Sequence, residues 1–312
     1  MRSKIVGVWL LILMSFVFQP VALKAAPQGR VRPLQQKKYK LSVCALLKNE
    51  ERYLREWIEY HRMVGVDHFY LYDIGCTDRS IDVLRPYIRE RIVTLVNWPI
   101  GRYCRDSDPA FVWALSTQVS AYENAAKFRA IRETKWLVCL DVDEFLVPPY
   151  VNNLVEILDR YDSCPGVVLP SQFYDASSMN TLPPKNLIIQ TTELAPAPQI
   201  EVEKTVKKMI FKPEHCAGFL WPPYECCFKN DQTPVYLSKN EIRINQYVNR
   251  FNGYLQFAKV KRKLHVDNRL LSDEEAFELL VNGYEIDDQE RAIERFAPEL
   301  LKRLGYDGSW KR

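Results

Sequence analysis

The chain has 312 residues, enough for one large α/β domain or two small ones, and its 47% hydrophobic and 26% charged content is that of a globular protein rather than a disordered one. Lys and Arg number 43 against 39 Asp and Glu, a net charge of +4. That balance, with no basic run interleaved with aromatics, gives no argument for nucleic-acid binding. Aromatic residues reach 12%, with 17 Tyr and 7 Trp, which suits stacking on sugars or packing a large core.

Residues 1–26 open with Arg2 and Lys4, continue as the apolar run Ile5 to Met14, and close on Ala25 and Ala26. This pattern predicts a secretory signal peptide. The alternative is an uncleaved membrane anchor, because Ile5 to Leu23 is just long enough to span a bilayer. Either reading places the protein in the secretory pathway or cell envelope, with membrane association in the second case. Residues 27–38, rich in Pro, Gln and Arg, predict a flexible linker.

The folded region is expected to start with the strand Lys40 to Leu47, followed by a helix opened by Lys48-Asn49-Glu50-Glu51, whose acids favour its first turn. Leu54, Trp57, Ile58 and His61 share one face of that helix at i, i+3, i+4, i+7 spacing, so His61 reads as a packed residue and not a ligand. A strand at His68 to Tyr72 leads into Asp73-Ile74-Gly75-Cys76-Thr77-Asp78, where Gly75 allows a tight turn and Thr77-Asp78 can cap a helix over Arg79 to Tyr87. The strand Ile92 to Asn97 completes a right-handed parallel βαβ arrangement.

Residues 98 to 117 read as irregular, and Gln118 to Glu133 as a helix. Then come Trp136-Leu137-Val138-Cys139-Leu140, a strand buried on both faces, and Asp141-Val142-Asp143-Glu144 at its C-terminal end. Open α/β sheets bind their ligands at that end. Three carboxylates between buried segments are costly to desolvate unless neutralised, and a divalent cation carrying a diphosphate would do so. Asp141 and Asp143 would point to opposite faces of an extended chain, so a turn directly after Asp141 is required. A helix over Asn153 to Tyr161 and a strand over Gly166 to Pro170 follow. From Ser171 to about Pro234 periodicity weakens and loops are expected, the usual setting of an acceptor pocket. Ser272 to Arg303 reads as an acidic amphipathic helical tail packed on the outside.

The eight cysteines fit no zinc spacing. Cys44 and Cys139 fall inside expected central strands as small core residues. In an exported protein Cys216, Cys226 and Cys227 could supply a disulfide, with Cys104 or Cys164 as further partners.

These segments together resemble glycosyltransferase family 92 and its family 2-like relatives. The likeness runs through Cys44 to Glu50, Glu56-Trp57-Ile58-Glu59-Tyr60-His61, Tyr72 to Asp78, Gln118 with Ala121-Tyr122 and Asn124, and Asp141 to Leu146. It continues through Phe173 with Ser177-Ser178, Lys207 to Pro213, and Ile242 to Tyr247. The resemblance implies an α/β GT-A fold over residues 39–263, a single domain with a Rossmann-like nucleotide-binding half on a mixed sheet and a loop-rich acceptor half; residues 264–312 would form the helical tail. It implies a metal-dependent, inverting transferase that moves a hexose such as galactose from a nucleotide-sugar, a UDP-sugar, to a glycan acceptor with Mn2+ or Mg2+.

Carried over by the same resemblance, Asn49, Glu50, Asp73 and Asp78 would lie along the nucleotide. Asp141 would contact both diphosphate and metal, Asp143 would hold the metal, and Glu144 would steady the turn. Inversion needs a carboxylate base for the acceptor hydroxyl. Glu225, Asp175 and Glu193 are the candidates. Where relatives show Asn-His-Tyr this chain has Asn245-Gln246-Tyr247, so a ligand position passes from imidazole to the weaker amide oxygen of Gln246. Ile74 and Cys76 likewise replace polar residues. A catalytically silent sugar-nucleotide or glycan-binding protein on the same fold is therefore the alternative reading. A nucleotidyltransferase would want a Gly-rich phosphate loop after the first strand, and Cys44 to Glu51 has no glycine.

Overall fold

The computed structural model describes residues 36–98, 117–176, 185–191, 208–219, 225–248 and 291–306. The expected signal or anchor at 1–26, together with Cys104, Glu193 and the tail residues 264–290, lies outside the described residues. Among the described residues no helix is long and apolar enough to cross a membrane. Lys37, within the expected linker, already bonds the Ile131 carbonyl and pairs with Glu214 at 2.9 Å.

The first strand, β1 (Tyr39–Leu47), sends Leu41, Val43, Ala45 and Leu47 to one apolar core, and Cys44 and Leu46 to a second core on the opposite face. Burial on both faces is why the strand reads as an unbroken apolar run. Helix α1 (Glu51–Met63) covers the first core with Leu54, Trp57, Ile58 and His61, all fully buried. It ends at Gly65, whose φ of +100° and closeness to Asn153 leave no room for a side chain. Strand β2 (His68–Asp73), helix α2 (Ser80–Arg89) and strand β3 (Val93–Asn97) follow as expected.

A helical run, α3, joins Ser120–Asn124, a π-helical Ala125–Ala130 and Ile131–Glu133. Its Ala121, Tyr122, Ala125, Ala126 and Ala130 roof the second core. The acid-ended strand is β4 (Thr134–Cys139), with Trp136 and Val138 on α1's side and Leu137 and Cys139 on α3's. Next come β5 (Glu144–Val147), helix α4 (Leu154–Leu158), capped by the Asn153 side chain at the Val155 N–H, and strands β6 (Gly166–Leu169) and β7 (Ser171–Asp175).

The stretch expected to be loops holds further strands. These are β8 (Lys208–Phe211) and the hairpin β9 (Cys216–Phe219) and β10 (Cys226–Phe228), with β11 (Val235–Tyr236) just beyond that stretch. Strand β12 (Arg243–Val248) follows them. The main sheet runs β11-β6-β8-β4-β1-β2-β3, parallel from β4 to β3, with β8 inserted antiparallel between β4 and β6. A smaller sheet, β5-β12-β7, is antiparallel on one side of β12 and parallel on the other. This is the mixed-sheet α/β architecture expected of a GT-A fold. From β1 the chain winds outward through β2 and β3, then returns to β4 on β1's other side. The crevice at the C-terminal ends of β1 and β4 is thus the switch point where such sheets take ligands.

Within the described C-terminal residues, α5 (Ala297–Leu304) buries Ala297, Leu300 and Leu304 in the first core and ends on Gly305 in a left-handed conformation. Arg295 donates to the carbonyls of Pro148, Pro149 and Val151, fixing the exit from β5.

His61 is a packed residue, as its helical position indicates. Its Nδ1–H donates to the Trp57 carbonyl at 2.8 Å and its Nε2 accepts the Leu146 N–H at 3.3 Å, which fixes a neutral tautomer. Burial pushes its pKa down to about 3, against a smaller upward pull from the Trp57 carbonyl. The folded value lies below the unfolded value of about 6.5, so this stability is complete above pH 6.5 and lost as pH falls toward 3. We expect stability to fall by up to about 1.4 kcal/mol per pH unit below 6 on this account. Urea unfolding at pH 7, 6, 5 and 4 should show that slope in the native protein and a flatter one in His61→Gln.

Candidate functional site

Three features meet at the C-terminal end of β4. The Leu140 N–H still bonds the Cys44 carbonyl at 2.9 Å, so the strand is held to β1 up to the last residue before the acids. The chain then turns, the Glu144 N–H reaching the Asp141 carbonyl at 3.0 Å. This is the turn that the spacing of Asp141 and Asp143 requires. It gathers ligand-capable oxygens of Asp141, Asp143 and Glu144 within 4.8 Å of one another, all three residues buried. Hard, closely spaced carboxylate oxygens are the donor set a divalent cation prefers, so these residues fit one.

Each residue of the turn is tied down. Glu144 Oε2 accepts the Asp141 N–H at 2.8 Å, so the third acid braces the first. The Glu144 carbonyl accepts from the Trp57 indole at 2.8 Å, anchoring the turn to α1. The Asp143 carbonyl accepts the Tyr247 N–H at 2.9 Å from β12. Lys208, at the start of β8, reaches Glu144 at 2.8 Å and Asp141 at 3.6 Å, with 1% of its side chain exposed. On the α3 side, Gln118 donates to the Tyr122 hydroxyl at 3.0 Å. Burial and then the charge of Asp141 push that phenol well above its ordinary pKa, so it stays a neutral hydrogen-bonding group.

Gln246 is paired in register with Glu144 across β12 and β5. Directly opposed residues share a face of the sheet, which puts this buried amide on the side of the acid turn. The candidate bases separate. Asp175 ends β7, two positions beyond the Phe173 that pairs with Gln246. Glu225 is half-buried and precedes β10, whose hairpin partner Gly218 approaches Glu123 of α3.

The residues expected along the nucleotide line the loops after β1 and β2. Asn49 adopts φ +54°, a left-handed conformation that asparagine tolerates. Its Oδ1 accepts the Thr77 N–H at 2.7 Å and the Asp78 N–H at 3.4 Å. Asp73 Oδ1 accepts the Gly75 and Cys76 N–H groups at 2.9 and 2.7 Å. Asp78 accepts the Glu51 N–H at 3.0 Å and the Ser80 N–H at 3.0 Å, as its capping position implies. Burial opposes its charge, but bonds from Ser80 and Glu51 outweigh this and hold its pKa below the usual carboxylate range. Glu50 is buried, its N–H bonded to the Ser80 hydroxyl at 2.7 Å. Cys76, in place of a polar residue, accepts the Asn49 N–H at 3.4 Å, and burial pushes its thiol up to about 12. These side chains knit the two loops into one rim of the crevice.

The cysteines among the described residues are free thiols. Cys44 and Cys139 are register partners in the second core, as their strand positions imply. Cys216 and Cys226 share that core and touch each other, the contact with Cys216 holding the Cys226 proton on. Sequence reasoning missed the role of Lys208. Lys208 follows Lys207 at the head of the apolar Met209-Ile210-Phe211, a position that gives no local sign of its burial.

The profile of glycosyltransferase family 92 matches residues 37–276, from before β1 to beyond β12. The chain belongs to glycosyltransferase family 92. A family 92 protein of rice (Oryza sativa subsp. japonica) is 31% identical over 43% of this chain and 20% of its own length. One from Ricinus communis is 33% identical over 36% of this chain and 17% of its own. The matched stretch thus spans about a fifth of these family 92 relatives. Among solved structures, Staphylococcus aureus TarS is similar over 77% of this chain and 42% of its own, at 13% identity and a TM-score of 0.39.

The rim predicts a separable pair of variants. Asn49→Ala loses the Thr77 and Asp78 bonds and forces alanine into φ > 0, for a cost of about 1–3 kcal/mol in denaturant unfolding. Asn49→Gly loses the same bonds without the backbone strain and should cost about 1 kcal/mol less. Equal losses would show that φ at this position carries no strain.

Proposed function

We propose that this family 92 chain is a metal-dependent glycosyltransferase that takes a hexose from a UDP-sugar and passes it, with inversion, to a glycan hydroxyl. The observation that carries this reading is the turn Asp141 to Glu144, which gathers three buried carboxylates at the switch point of the sheet. Asp141 and Asp143 would hold Mn2+ or Mg2+, with Gln246 as a neutral oxygen donor beside them. When bound, the ion would stabilise the charge that develops on the departing diphosphate.

The chain's own residues supply the rest. Glu144 and Trp57 hold the turn, so the two aspartates need not reorganise as the sugar leaves. The rim of Asn49, Asp73 and Asp78 shapes the crevice for the nucleoside. Of the candidate bases, Asp175 lies in the same small sheet as Gln246, so we assign it the acceptor proton ahead of Glu225. The proposed location, the secretory route or cell envelope, rests on the pattern of residues 1–26.

Asp143→Ala should abolish Mn-dependent UDP-sugar binding in calorimetry while leaving the urea midpoint nearly unchanged; retained binding would refute the metal assignment. Asp175→Asn should keep donor binding and lower transfer by about 10²–10⁴-fold. The amide at position 246 favours a second reading, a binding protein without turnover. Steady release of UDP in the presence of Mn2+ would exclude it.

A further inference from the structure

Among the described residues Lys208 is one of the most deeply buried large side chains, and it is a lysine. A buried ammonium persists only beside compensating charge, and this one has Glu144 at 2.8 Å and Asp141 at 3.6 Å. The same Glu144 Oε2 that meets the ammonium also accepts the Asp141 N–H, so this oxygen is committed within the protein. Strand β8 is pinned by its ladder to β4 and β6, which fixes where the lysine enters. Three carboxylates and one ammonium give a formal charge of −2, matching one divalent cation and no more.

We infer that Lys208 is a resident counter-ion that holds Glu144 out of the cation's ligand set and moderates the protein's affinity for the cation until a diphosphate arrives. The inference rests on the metal reading above. With the donor absent, a divalent ion must share Asp141 with the ammonium. With a nucleoside diphosphate present, added negative charge offsets the ammonium, and ion and donor bind cooperatively. Lys208 is a positioning residue, acting through Asp141 and Glu144.

The test is calorimetric titration of the full chain with MnCl2, with and without UDP, so it needs no acceptor and no turnover. Lys208→Met should bind Mn2+ at least about tenfold more tightly than the native protein without UDP, and gain less from UDP. Lys208→Arg should behave like the native protein. A folded Lys208→Met that binds Mn2+ no more tightly overturns the inference. Should that variant fail to fold, Glu144→Gln and Glu144→Gln/Lys208→Met carry the same comparison. Glu144→Gln leaves the ammonium to Asp141 and should bind Mn2+ at least about tenfold more weakly than the double variant. Equal affinities there overturn the inference. If Asp143→Ala abolishes Mn2+ binding while the Lys208 comparisons show no difference, the metal site stands and only the role of Lys208 falls. If the native protein takes up no Mn2+ with or without UDP, both fall together.

Discussion

Carboxylates that leave a buried strand must find compensation within the next few residues, or the strand cannot stay buried. Here the compensation is local and shared. The turn lets Glu144 accept the Asp141 N–H, the Trp57 indole takes the Glu144 carbonyl, and β12 takes the Asp143 carbonyl. Helix α1, the small sheet and β8 therefore converge on four consecutive residues. Removing any one partner leaves a buried polar group unpaired, which costs more than the bond itself contributes.

The division of labour across β4 follows from strand geometry. Alternate residues feed two cores, and the alternation carries Asp141 toward α3 and Tyr122. The crevice thus has a neutral, hydrogen-bonding wall on the α3 side and a rim of backbone-bonded polar side chains after β1 and β2. Between them lies the acid turn with Lys208.

The β1-to-β4 half of the fold was legible because its signals are local: apolar runs buried on both faces, a helical stripe through Trp57 and His61, and turn residues such as Gly75. The need for a turn after Asp141 was legible too, from the two-residue spacing alone. Strand β8 and the β9–β10 hairpin were not. They are three or four residues long and take their burial from partners distant in sequence, so no periodicity marks them. Lys208 was invisible for the same reason. Its charge is tolerable only because β8 lies antiparallel beside β4, and that pairing leaves no trace in the residues around it. Gln246 was singled out by resemblance alone; the register sets it opposite Glu144.

The inserted strand also bears on how the molecule is made. Everything from β1 to β5 leaves the ribosome before Lys208 does. Until then the acid turn is a cluster of like charges on an unfinished sheet edge, with no ammonium to settle it. Closing the long loop that brings β8 into place is an entropic barrier of its own. The order of synthesis thus makes the pairing of the acid turn with Lys208 a late event, completed only when β8 enters the sheet.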